Sequence, residues 1–457
     1  MLIAAPIVVF GLLWALPRDH TRRIIWVLAT AAALPTTAAL PSVGGLSAYF
    51  VVGVVMVAFT ILAWLRGRLS FLGWPGARTL AVFFGYGLVI TAIGPTLFDG
   101  MRVLKPAGGI DYEVLNPSRL TYFASNISQV LLLVIAFAVI CLAARAPLLS
   151  AHTLSIGLAI AAFASTWRWT SDQFGVPFPA AQFDSTETVY NNGNASEYRL
   201  RGVFPEPSFL GIYSVVTMAF CAVMIAQTRG RTRLAYCVVF ASASLNFALS
   251  RSGTGLIGGL AVGALMLGVL YVRTTVLGRS PLPLVILAIV GVIAVLANFH
   301  AVYDFVVEGI SKKTGSGSYR SRSSADLISF RIFSDSYGLG VGLGSSRPSS
   351  MWPALLSCVG LVGTIAYAIF CGRLASLTWR ATGAHLAVFW ALVAILVTKS
   401  FNGSDLFDPL TVMILACNAN LAAHLVREAR ERRREEAAAR AAAAPGGRRR
   451  AQVVAPA

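Results

Sequence analysis

Residues 198–211 read YRLRGVFPEPSFLG, and the reading of this stretch decides how the rest of the chain is organised. A polar segment carrying Arg199, Arg201 and Glu206 runs directly into an apolar run at Pro207 and Ser208. Prolines on both sides of Glu206 restrict its backbone, stop the preceding segment from continuing as helix, and set Pro207 up as a first helical residue. The stretch is therefore a loop that brings two guanidinium groups and a carboxylate to the mouth of a helix, and it is expected to wall an active site.

On either side of it nearly everything is apolar. Of 457 residues, 56% are hydrophobic and 12% charged, with a mean hydropathy of +0.72, outside the range of a soluble domain. The composition predicts an all-α, polytopic transmembrane helix bundle. Crossing a hydrocarbon core takes about 20 apolar residues, and such runs lie near 2–16, 24–40, 46–65, 79–98, 120–144, 153–170, 208–226, 234–249, 254–272, 282–300, 352–371, 384–398 and 409–425. About 12 or 13 spans are expected, with residues 1–425 forming the membrane domain and 426–457 a basic tail that fades into disorder. Cys141, Cys221, Cys237, Cys358, Cys371 and Cys417 all fall within spans and form neither a disulfide framework nor a metal-spaced pair. The first run has no basic residues ahead of it, which fits a retained span rather than a cleaved signal.

The net charge of +18 would suggest nucleic acid in a soluble chain, but here arginines sit in short loops, as orientation signals do. Anchoring the Arg-rich tail in the cytoplasm puts Arg18/Arg22/Arg23, Arg66/Arg68/Arg78, Arg145, Arg229/Arg231/Arg233, Arg273/Arg279 and Arg373/Arg380 on the same side. The long loops 99–119, 171–207 and 301–351 then lie on the other side, away from the cytoplasm. Basic residues in these outer segments (Arg199, Arg201, Lys312, Lys313, Arg320, Arg322, Arg331 and Arg347), with Arg251 at the outer end of the eighth span, run against the topology rule. An anionic ligand outside the membrane is the expected reason.

Arginine suits bidentate phosphate recognition, and a carboxylate fixed like Glu206 suits a general base. The plainer alternative pairs Glu206 with Arg201 at a helix N-terminus. Arg251 stands in LNFALSRSGTGLIGG, where small residues either turn the chain or admit a ligand, with Asn246 about one turn earlier. In YRSRSSADLISFRIFSDSYGLGVGLGSSRPSS, Arg320, Arg322 and Arg331 precede Gly338, Gly340, Gly342 and Gly344. No strand precedes these glycines, so they read as a tight re-entry into the span at Trp352 rather than a nucleotide loop. Arg331 is the best placed of the three, on an apolar-flanked segment that could lie along the membrane surface. Arg199, Arg320, Arg322, Ser208 and Asn246 complete the candidates for substrate contact. The five histidines have no metal-ligand spacing, and Asp405 and Asp408 read as caps of the last span, opened by Pro409. A transfer that uses neither metal nor cofactor follows.

RGVFPEPSFLG, then LSRSGTGL, then an arginine-bearing outer loop ending in GLGVGLGS before a span with Leu-Leu and Gly-Leu-Val-Gly, resembles the O-antigen polymerase and O-antigen ligase superfamily. The similarity covers residues 195–420; the first six spans match only in character. The resemblance implies a fold like the C-type glycosyltransferases and metal-independent work on undecaprenyl-pyrophosphate-linked oligosaccharide at the periplasmic face of a bacterial inner membrane. By position it implies that Arg201, Glu206, Arg251 and Arg331 line the site, with Arg320 a weaker member. Ligases of the superfamily are expected to carry a histidine within the large outer loop. Here His300 sits at its very start and the next is His385, which favours a polymerase over transfer to lipid A core or protein. A chain-length regulator and a flippase are the implied protein partners, and no nucleic acid is implied. A transporter or flippase of lipid-linked sugars is the rival of another class; it requires charged residues inside spans and discontinuous helices.

Overall fold

The computed structural model describes residues 21–40, 46–67, 69–104, 117–149, 151–186, 199–275 and 317–443. Within them the chain is an all-α helix bundle. Its helices are α1 (Thr21–Ala32), α2 (Ala48–Leu65), α3 (Ala77–Leu97), α4 (Ala124–Arg145), α5 (Ala151–Phe174), the single turn α6 (Ala180–Phe183), α7 (Pro207–Gln227), α8 (Gly230–Ser250), α9 (Gly253–Thr275), α10 (Gly317–Asp335), α11 (Met351–Thr378), α12 (Leu386–Phe401) and α13 (Pro409–Ala443). Two short antiparallel ribbons, β1 (Ala38–Leu40) with β2 (Leu46–Ser47) and β3 (Arg102–Val103) with β4 (Ser118–Arg119), lie in the connections. The second ribbon carries an exposed Arg119–Asp99 ion pair of 2.7 Å, and the Arg119 hydrogen bond holds the Asp99 carboxyl below its usual range.

Among the described residues nine helices are long and apolar enough to cross a membrane, so this is a multi-pass membrane protein. The expected runs 2–16 and 282–300 lie outside the described residues, as do loop residues 301–316 and the tail beyond Ala443; up to Ala443 the tail is helical. The run 24–40 is not one span. Its helix ends at Ala32, because Pro35 cannot continue it, and Thr36 and Thr37 turn their hydroxyls onto the carbonyls of Val203 and Phe183. α5 is helical as expected but less apolar than the nine, with Arg168 and Asp172 in its last turns.

α7 is central, buried along nearly its whole length, and its neighbours approach through small residues. Gly255 of α9 packs on the Gly211 backbone, and a Cβ on Gly258 would stand 2.5 Å from Thr398 of α12. Such contacts let helices close where no hydrophobic effect separates helix from lipid. Buried amides act as ties: Asn246 of α8 donates to the Ala162 carbonyl of α5 at 2.8 Å and accepts from Thr166, and Asn420 of α13 joins the end of α4. One end of the bundle gathers arginines. There Arg145 bonds the carbonyls of Ser70 and Leu72, and Arg273 stacks over Trp379 at 4.9 Å.

The other end is organised by residues 336–350. Gly338, Gly340, Gly342 and Gly344 all have positive φ, and the loop they form enters the bundle. α11 is broken opposite it at Gly360 (φ 59°, ψ −166°). The carbonyls released by that break accept from the loop, Ser357 from Val341 and Cys358 from Gly342, both at 2.9 Å, while Leu361 N–H donates to Gly338 O at 2.8 Å. Thr91 of α3 and Ser125 and Asn126 of α4 bind the remaining backbone of residues 343 and 344. The expectation of a tight re-entry is met, in a deeper form: the re-entry is buried. A Cβ on Gly344 would lie 2.4 Å from the Ser125 carbonyl oxygen, whereas one on Gly67, also at positive φ, meets nothing within 4 Å. Gly67→Ala should therefore cost about 1 kcal/mol, the left-handed term alone. Gly344→Ala should cost roughly 3 kcal/mol once backbone overpacking is added. Thermal unfolding of the two variants in detergent checks the order; equal shifts would contradict the buried placement of the loop.

Candidate active site

Glu206 is the N-terminal cap of α7, extended at φ −146° and ψ 160°, with Pro207 in the first turn. Its carboxylate does not bond the helix N–H groups as a side-chain cap would. Oε1 instead accepts from the Ser208 hydroxyl, and Oε2 faces the Arg322 guanidinium of α10 at 3.9 Å. That separation is an ion pair without a hydrogen bond. The two side chains stand on the wall of a cavity of about 90 Å³, which Arg347, Ser349, Asn402, Ser404 and Asp405 also line.

Three separate segments fix this cavity. The corner at residues 205–207 is stiff because of its prolines. The segment leaving the glycine loop is clamped by Asp326 of α10, whose Oδ1 accepts from the Ser349 and Ser350 N–H groups at 2.7 and 3.1 Å and whose Oδ2 accepts from the Ser350 hydroxyl at 2.6 Å. The connection from α12 to α13 is tied by Gly403 N–H to the Ser349 carbonyl at 3.0 Å and by Asn402 to Thr254 at 3.2 Å. Beneath it Lys399, 1% exposed, donates to the Asp405 carbonyl and pairs with the Asp408 carboxylate. Asp408 also caps α13 through Thr411 N–H at 3.1 Å, as its position before Pro409 suggests. Among the described residues the Asp405 side chain caps nothing; it lines the cavity.

The other candidate residues are dispersed. Arg201 does not pair with Glu206. Its guanidinium grips Asp184 through two bonds of 3.1 and 2.6 Å, and Arg168 binds the same carboxylate. A two-pronged fit to a nearby carboxylate outweighs a looser pair with Glu206, and the three side chains are only 13–18% exposed. Arg251 closes α8 in a left-handed conformation (φ 45°, ψ 36°), and Ser252 caps α9, so LSRSGTGL is a helix–turn–helix corner. Arg199 bonds the Ser250 carbonyl at that corner. Arg331 is exposed on α10; it follows Arg322 by nine residues (331 − 322), which at about 100° each turns it half way round the helix, away from Arg322. Asn246 is committed to the α5–α8 contact. Arg320 is helical in its backbone, and its side chain lies outside the described residues. Of the proposed set, the cavity keeps Glu206, Ser208 as its partner, and Arg322.

Arg347, Asn402 and Asp405 are cavity residues that the sequence reading did not select. Arg347 had a signal, since it was among the basic residues that the expected topology puts on the outer side. Among the described residues no three His, Cys, Asp or Glu side chains converge as metal ligands. Comparison with known proteins finds no family model that matches this chain and no curated protein similar to it.

The two classes of arginine give opposite expectations. Asp184→Asn leaves two largely buried guanidiniums on a neutral amide and should cost roughly 3 kcal/mol of stability. Arg322→Ala removes a loose, one-third-exposed pair and should change stability by less than about 1 kcal/mol. Thermal melts of the purified variants decide; a Tm for Asp184→Asn equal to wild type would show that this cluster does not hold the segment before α7 to the end of α5.

Proposed function

We propose that this protein is a glycosyltransferase that extends a bacterial surface polysaccharide, moving a growing glycan from a polyprenyl pyrophosphate carrier onto a lipid-linked repeat unit. One observation carries the reading: Arg322 faces the Glu206 carboxylate across 3.9 Å on a cavity wall that Arg347 shares. Tight pairing has left Arg201 structural, whereas Arg322 is loosely held and open to an incoming oxyanion. The roles expected of Arg201, Arg251 and Arg331 pass to Arg322 and Arg347. The arginine-rich end of the bundle, with the C-terminal tail, is the cytoplasmic end by the distribution of positive charge, and the cavity opens at the opposite, periplasmic end of an inner membrane.

In the transfer, a hydroxyl oxygen of the repeat unit attacks the anomeric carbon of the glycan. The bond from that carbon to the phosphate oxygen breaks, and polyprenyl pyrophosphate leaves with the electron pair. Glu206 accepts the hydroxyl proton as the new bond forms. Arg322 and Arg347 stabilise the charge that grows on the leaving diphosphate. Ser208, by donating to Oε1, orients the carboxylate so that Oε2 faces the cavity.

Two features suit a transporter as well: the broken helix α11 and the buried Lys399–Asp408 pair. Both are filled, however. The break is occupied by loop backbone, and the ion pair lies within three residues of the end of α12, where it holds a connection in place. Neither leaves an open path at mid-membrane, which alternating access requires.

The test is extension of a lipid-pyrophosphate-linked repeat unit by the protein in nanodiscs. Wild type should give a ladder of products. Glu206→Gln should bind the lipid normally with kcat reduced on the order of 10²–10⁴-fold, and Arg322→Ala should lower kcat/KM about 10²-fold. If wild type binds the lipid and leaves it unextended, the transfer reading fails; movement of intact repeat units across the bilayer would then establish the transporter.

A further inference from the structure

We infer that the Asp405 carboxylate is the positioning group for the acceptor sugar, binding ring hydroxyls in the cavity that Glu206 also lines; the assignment of this role rests on the transfer reading above. The argument starts from how the connection between α12 and α13 is held. Lys399 grips the Asp405 carbonyl from below, Gly403 is bonded to Ser349, Asn402 to Thr254, and Asp408 is used up in capping α13 and pairing with Lys399. The Asp405 backbone is thus fixed, while its side chain is exposed on the cavity.

The carboxylates around this cavity divide cleanly by use. Asp326 accepts three hydrogen bonds from the Ser349–Ser350 segment. Glu206 is oriented by Ser208 and Arg322. Among the described residues nothing donates a hydrogen bond to the Asp405 carboxylate; the buried Lys399 bonds its main chain and attracts its charge from below. A rigid backbone bearing an acid whose oxygens accept no hydrogen bond among the described residues, flanked by the short polar side chains of Asn402 and Ser404, suits a ligand that presents several hydroxyl donors. An ionised carboxylate has two acceptor oxygens and so can bridge neighbouring hydroxyls. It would repel a diphosphate, which belongs beside Arg322 and Arg347. The neutral, hydroxyl-bearing end of the acceptor is the part of the reaction that fits Asp405.

The experiment compares wild type with Asp405→Asn, which keeps the shape and leaves the Lys399 contact to the main-chain carbonyl intact. The acceptor probe is the oligosaccharide repeat unit released from the host's own polysaccharide and carried on a short alkyl group, without diphosphate. Asp405→Asn should raise the acceptor KM roughly ten- to a hundredfold, the loss of hydrogen bonds to a charged group. The donor KM and the Tm should stay unchanged, and Asp405→Glu should recover part of the loss. Binding of the same probe, followed by saturation-transfer NMR without donor, should weaken in parallel. This arm separates the two readings: if wild type extends nothing but still binds the probe through Asp405, the sugar subsite stands and the transfer reading falls. Equal probe binding by wild type and Asp405→Asn, or an increase in the donor KM in place of the acceptor KM, overturns the inference.

Discussion

A backbone N–H or carbonyl buried in an apolar bundle must find a partner, and here that constraint shapes the end of the molecule that matters. The loop of residues 338–346 brings bare peptide groups inside. It is tolerated because α11 gives up its regular bonding at Gly360 and offers the carbonyls of Ser357 and Cys358 in return. The glycines make both halves possible. A side chain on Gly340 or Gly360 would strike main-chain atoms within 3 Å. Once the loop is seated, its exit is fixed as well: Arg347 N–H bonds the Leu104 carbonyl, and Asp326 clamps the next turn. Cavity residues that look like loop residues in sequence are in effect mounted on the core.

The arginines follow a second rule, that a guanidinium near low-dielectric surroundings takes the best-shaped carboxylate within reach. Asp184 absorbs both Arg168 and Arg201 and fastens the segment before α7 to the end of α5. Glu206 is thereby left to Ser208 and a distant Arg322. Arg201 and Glu206 lie a few residues apart on one loop, and geometry, two bonds of 3.1 and 2.6 Å to Asp184 against a single approach of 3.9 Å to Arg322, tells the tightly held group from the loosely held one.

The helical class, the central spans and the corner at Pro205–Pro207 were legible in the sequence, because apolar run length and proline stereochemistry are local properties. The cap at Asp408 and the re-entry after Gly338 were legible for the same reason. Partner choice was not. Arg201 lies five residues from Glu206 along the chain, yet Asp184, seventeen residues before it, holds it in space. Arg331 had the more favourable apolar flanks, but helical phase put Arg322 on the cavity side of α10 and turned Arg331 away. Asp405 could not be told from a second cap without knowing that Lys399 reaches its carbonyl. Pro35 was present in the run 24–40 and could have ended that span one turn early.

The buried Lys399–Asp408 pair is a costly arrangement, since removing two charges from water is not repaid by their attraction alone. Its position accounts for its presence. Lys399 donates at once to the carboxylate that starts α13 and to the main chain of the residue facing the cavity. Asp408 in turn orders the first turn of the last helix through Thr411. An apolar pair of equal volume could fill the space and stabilise the bundle as well. It could not register the end of α12, the connecting loop and the start of α13 against one another by directed bonds. What the ion pair supplies is placement of a polar loop on top of an apolar core, and a cavity whose lining comes from three separate segments needs that placement more than it needs additional stability.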